Sequence, residues 1–75
     1  MNHEPNGGQL ASLIKMVNQI AANMPQQEAP DQNAEKVAAH IRRFWARSMK
    51  RDIIQYAQND GDELSQLAKL AVARI

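Results

Sequence analysis

The stretch VAAHIRRFWARSMKRDII, Val37 to Ile54, constrains the fold of this chain more than any other. It contains no Gly or Pro, so composition alone would allow one long helix. The helical phase does not. With Ile41 at the centre of a wheel, Ala34, Val37, Ala38, Phe44 and Trp45 all fall within about 60° of it, at about 100° per residue. A straight continuation would bring Asp52 near the centre of that apolar stripe and turn Ile53 and Ile54 away from it. Burying an unpaired carboxylate is too costly for a small domain to carry. The chain is therefore expected to break or bend near Ala46–Ser48. A restart at Arg47 or Ser48, with Ser48 as the cap, puts Met49, Ile53, Tyr56 and Ala57 on a new face, with Arg51 and Asp52 outward. Phe44 and Trp45 then end the first stripe and are expected in the core.

Two further helices flank this corner. Leu10, Leu13, Ile14, Val17, Ile20, Ala21 and Met24 recur at three- and four-residue spacing, which predicts a helix from Gln9 to Asn23, stopped by Met24-Pro25. Met16 lies off its stripe. Asn18 sits at the edge, where it is expected to bond across the bundle to a loop carbonyl. The polar loop PQQEAPDQN follows, with Asp31 or Asn33 as cap for a helix starting near Ala34. NDGDE is read as a second loop, with Asp60 and Glu63 as a capping box or Asp62 as the competing cap. The last helix is predicted from Glu63 to the end, with Leu64, Leu67, Ala68, Ala71, Val72 and Ile75 as its stripe and Leu70 off it. The sum is an all-α chain: a compact bundle of four short helices, with helices two and three meeting at a corner. Residues 1–8, MNHEPNGG, read as a disordered N-terminal arm and residues 9–75 as a single helical domain.

The chemistry the sequence excludes is as informative. There is no Cys, hence no disulfide, Cys-ligated zinc or iron–sulfur cluster, which also fits a cytoplasmic setting. No apolar run is long enough to span a membrane, and no basic-then-apolar signal segment opens the sequence. His3 and His40 have no ligand-spaced companions, and neither has a placed nucleophile and orienting acid. No catalytic, cofactor-binding or metal-binding residue is therefore assigned. His40 is read as a helix-flank residue bonding locally. The three off-stripe apolar residues, Met16, Ile54 and Leu70, would matter only as a joint patch.

Charge is unevenly placed. From Lys36 to Arg51 there are six Lys or Arg and no acid, while the whole chain carries nine bases against eight acids. On the plainest reading this run is a solvated face. As a nucleic-acid site, segment 36–51 would lay one helix in a groove, but the low net charge and the acids elsewhere count against that. As a docking surface, its arginines would fork onto carboxylates of another protein. A homo-oligomer joined through the off-stripe residues is a third reading.

The segments KMVNQIAANM, VAAHIRRFWARSMKRDII and LSQLAKLAVARI resemble the delta subunit of cytoplasmic NAD-dependent, molybdenum- or tungsten-containing formate dehydrogenase. The first matches that family at Met16, Asn18, Gln19 and Ile20. The second matches at Val37, Ala38, His40, Ile41, Arg42, Arg43, Phe44, Trp45 and Met49, and the third, less sharply, at Ala71, Val72 and Ile75. Arg47 stands where the family pattern has Pro, and Asn23-Met24 where it often has an aromatic pair. The resemblance implies a small helical accessory subunit. The pterin–metal cofactor, clusters and FMN belong to the larger subunits, and no catalytic residue is carried over. The expected partner is the large catalytic subunit, whose maturation or stability the chain would support. The expected contacts are Arg42, Arg43, Arg47, Lys50 and Arg51, with Met16 or Trp45 as an apolar anchor.

Overall fold

The computed structural model describes the backbone of residues 5–75 and side chains from Gln9 onward. Four helices make up the described fold: α1 (Pro5–Ala22), α2 (Pro30–Phe44), α3 (Arg47–Asn59) and α4 (Gln66–Val72). α1 thus begins four residues before the expected Gln9. Of the arm proposed for residues 1–8, the first four lie outside the described residues.

The break in the central stretch falls at Trp45–Ala46. Both residues are extended, with φ/ψ of −90°/143° and −66°/158°. α3 restarts at Arg47, so Asp52 stays half-exposed while Ile53 is fully buried. Ser48 is not the cap. Ala46 holds that position and offers no side-chain acceptor, and the helix starts two residues earlier than a Ser48 cap would require. Arg47 therefore occupies the first helical position, whose N–H needs no intrahelical partner. A proline is readily accommodated in that slot.

α2 also starts earlier than expected. Pro30 opens it, since its fixed φ and missing N–H suit the first turn. This places Asn33 inside the helix rather than at its cap. The Asn33 side chain reaches back instead, donating from Nδ2 to the Pro25 carbonyl at 2.8 Å. Asp31 lies in the first turn, where its charge complements the helix dipole.

α4 is shorter than predicted. Ser65 caps it, accepting from the Ala68 N–H at 3.2 Å, so the proposed Asp60, Glu63 and Asp62 caps are displaced into the preceding loop. That loop turns at Gly61, whose φ of +65° suits Gly after a helix end. An added Cβ there would sit 3.2 Å from the Ala57 carbonyl.

The core joins Leu13, Ile14, Val17 and Ala21 of α1 to Ala34, Val37 and Ile41 of α2, Ile53 of α3, and Ala68, Ala71 and Val72 of α4. Trp45 and Leu64 close it. Fully burying each large aliphatic side chain contributes roughly 1.5–3 kcal/mol. α4 packs most heavily on α2. Ala34 and Ala38 on one helix and Ala68 and Ala71 on the other are all fully buried, and such small side chains let two backbones approach closely.

Asn18 makes the expected cross-bundle bond and a second one. Its Nδ2 donates to the Glu63 carbonyl and its Oδ1 accepts from the Ser65 N–H, both at 2.8 Å. The Tyr56 hydroxyl accepts from the Glu63 N–H at 2.9 Å. The α3–α4 loop is thereby held by side chains of α1 and α3.

Candidate partner-docking surface

The corner sends its two aromatics opposite ways. Trp45 is 6% exposed and lies in the core, as expected. Phe44 was expected there too, but it is 66% exposed. The wheel alone does not separate them: Phe44 and Trp45 flank Ile41 on opposite sides, yet Val37 on the Phe44 side is as buried as Ala34 and Ala38. Phe44 is the last helical residue, beyond which the chain turns away. Its ring packs on its own surface neighbours. The His40 ring centroid lies 4.8 Å away, tilted by 45°, and the Arg43 guanidinium carbon lies 5.4 Å from the ring centroid, within cation–π range.

The five basic residues singled out by the sequence also separate. Arg42 turns back along α2, donating from Nη2 to Glu35 at 2.8 Å. Arg74, just past α4, reaches the same carboxylate at 3.6 Å and Asp31 at 3.4 Å. The hydrogen bond from Arg42, then its charge, with Arg74 behind it, hold the Glu35 carboxyl below its usual range. Arg42 therefore helps tie α2 to the end of α4. Arg74 was not singled out from sequence, because its partners lie some forty residues away along the chain. Lys36 is likewise paired, to Glu28 at 2.6 Å.

The remaining cations stay open. Among the described residues, no ion pair joins Arg43, Arg47 or Lys50 to a carboxylate. Arg51 meets only its neighbour Asp52 at 3.8 Å, with its own side chain 70% exposed. Such a pair contributes little. Lys50 donates from Nζ to the Arg42 carbonyl at 3.2 Å, satisfying a free carbonyl in the last turn of α2 and spanning the corner. Arg47, Lys50 and Arg51 are brought together along the rim of one open cleft, whose floor is Ile54 and Ile75. Three cations near the start of a helix with no cap and no acid in its first turn oppose the helix dipole. Beyond the Lys50 bond to the Arg42 carbonyl, the local fold gains little from that arrangement.

Met16 is 42% exposed on α1 and does not line this cleft. Nor do the off-stripe residues form one patch. Ile54 belongs to the basic cleft and to an adjoining one, whereas Leu70 lines a separate cleft with Leu67 and Pro30. His40 is exposed and makes its contact within the helix, to Phe44. Among the described residues, no His, Cys, Asp and Glu group is arranged to hold a metal ion, and no helix is long and apolar enough to cross a membrane.

Fold and surface together define a small all-α domain whose distinctive chemistry is an unpaired basic corner with an exposed aromatic. The family described as NADH-dependant formate dehydrogenase delta subunit FdsD matches residues 12–72, and the chain belongs to it. No curated protein and no solved structure matches the chain.

Proposed function

We propose that this chain is a non-catalytic accessory subunit of a soluble, cytoplasmic NAD-dependent formate dehydrogenase of the molybdenum or tungsten type. It binds the large catalytic subunit through the α2–α3 corner and supports that subunit's maturation or stability. The observation that carries this reading is the contrast in charge pairing. The acids of α2 and the preceding loop are answered within the chain, whereas Arg43, Arg47 and Lys50 meet no carboxylate, and Phe44 stands exposed against Arg43. An exposed aromatic with an arginine over its ring is the composition of a protein-binding hot spot. Family membership supports the choice of complex.

The test is the double charge reversal Arg43→Glu/Arg47→Glu in the co-expressed complex. Co-purification with the catalytic subunit should fall while far-ultraviolet circular dichroism stays unchanged. Undiminished co-purification refutes the docking assignment. If the chain instead binds duplex or single-stranded nucleic acid with a steep salt dependence, the basic corner serves a different class of partner.

A further inference from the structure

Along the outward face of α3 the chemistry changes in order. Arg47, Lys50, Arg51, Ile54 and Gln58 recur at three- and four-residue spacing, so one stripe runs from basic through apolar to amide. Ile75, just beyond α4, closes its edge and makes an open cleft of about 630 Å³. No Asp or Glu side chain lines that cleft. Ile54 and Ile75 pack against the core from below and remain only partly buried.

Building on the docking reading above, we infer that this cleft receives one acidic segment of the partner protein, carboxylates over Arg47, Lys50 and Arg51 and an apolar side chain seated between Ile54 and Ile75. Charge complementarity selects this occupant. The two guanidinium groups offer planar forks that match carboxylates, and Lys50 adds a third positive charge between them along the helix. The apolar floor gives the segment a place to remove a side chain from water, which an ion-pair contact alone does not need. Gln58 can meet main-chain groups further along.

Two other occupants fit less of the surface. Nucleic acid would use the cations only, since no aromatic side chain lines the cleft for a base to stack on. A second copy of this chain would bring the acidic loop Asp60–Glu63, but the apolar residue beside that loop, Leu64, is 5% exposed and committed to its own core.

The experiment places the photo-cross-linking residue p-benzoylphenylalanine at position 58, and separately at position 44, in the full chain co-expressed with its formate dehydrogenase subunits. Irradiation and peptide mass mapping identify what each probe touches. The probe at 58 should join a partner segment rich in Asp and Glu next to an apolar residue. Lys50→Glu/Arg51→Glu should cut that yield roughly tenfold, the order expected when opposed charges become like ones. Adducts from position 44 but none from 58 would overturn the cleft inference and leave the docking reading standing. So would adducts from 58 to a segment without acids, to nucleic acid or to a second copy. No partner adduct from either position would overturn the docking reading itself.

Discussion

Helices α2 and α3 are similar in length, and each has one apolar face, yet the bundle uses them differently. α2 buries Asn33, Ala34, Val37, Ala38 and Ile41, whereas α3 fully buries only Ile53. Except for Arg43, the charges of α2 find partners inside the chain, Asp31 and Glu35 at Arg74, Lys36 at Glu28 and Arg42 at Glu35. Those at the start of α3 do not, and they sit where the dipole disfavours them. One helix is committed to holding the fold. The other is held by the fold and leaves a face unused. A domain this small has little stability to lose, so keeping mismatched cations on an uncapped helix points to an external use for them.

Core truncation should separate the two helices most strongly. Ile41→Ala is expected to cost about 2–5 kcal/mol and Ile54→Ala about 1 kcal/mol or less, read from urea unfolding. Equal costs would break the comparison. Asn18→Ala should cost about 1 kcal/mol, because it removes two cross-bundle hydrogen bonds whose partners, the Glu63 carbonyl and Ser65 N–H, water can still reach. Ala46→Asp acts in the opposite direction. It supplies the missing cap of α3 and should stabilise the fold by about 1 kcal/mol, a rise visible in the same urea curves. The same change puts an acid in the basic corner and should weaken capture of the catalytic subunit. If stability and capture rose together, the corner would not be a site kept at the expense of the fold.

The smallest effect concerns acid. The Glu35 carboxyl is held below its ordinary value of 4.5 in the folded chain, so its contribution is fully present above that value. It is lost as pH falls through the lower folded value. Thermal scans at decreasing pH should show the wild type converging on Glu35→Gln in that range, and parallel curves would count against the Arg42–Glu35–Arg74 network.

Much of the bundle was legible because burial leaves a period. The stripes of α1 and α4 hold their predicted core residues, and the Asp52 phase argument located the break within a residue or two of Trp45–Ala46. The family match was legible in the spacing of His40, Arg42, Arg43, Phe44 and Trp45. Phe44 was misread because a wheel does not say how far along the helix the stripe stays covered, and Phe44 is the last residue of α2. The caps were misread where two candidates competed locally. Ser65 prevailed over Asp60 and Asp62 once Asn18 fixed its backbone. The arrival of Arg74 at Glu35 and Asp31, beside Arg42, is encoded by no local pattern. The cleft joins residues 47–58 to Ile75 and is likewise visible only once the chain has folded.

The double bond from Asn18 also bears on the order of folding. α4 has seven residues, about two turns, too few to persist alone in water. Its first turn is anchored by a side chain 47 positions earlier. Closing that loop comes before any reward from the contact, so α4 should form late, as a follower of α1 rather than as an independent unit. Because Ile75 follows α4, the cleft comes into being only in that last step. A partner that seats itself there would recognise the finished chain and pass over its precursors.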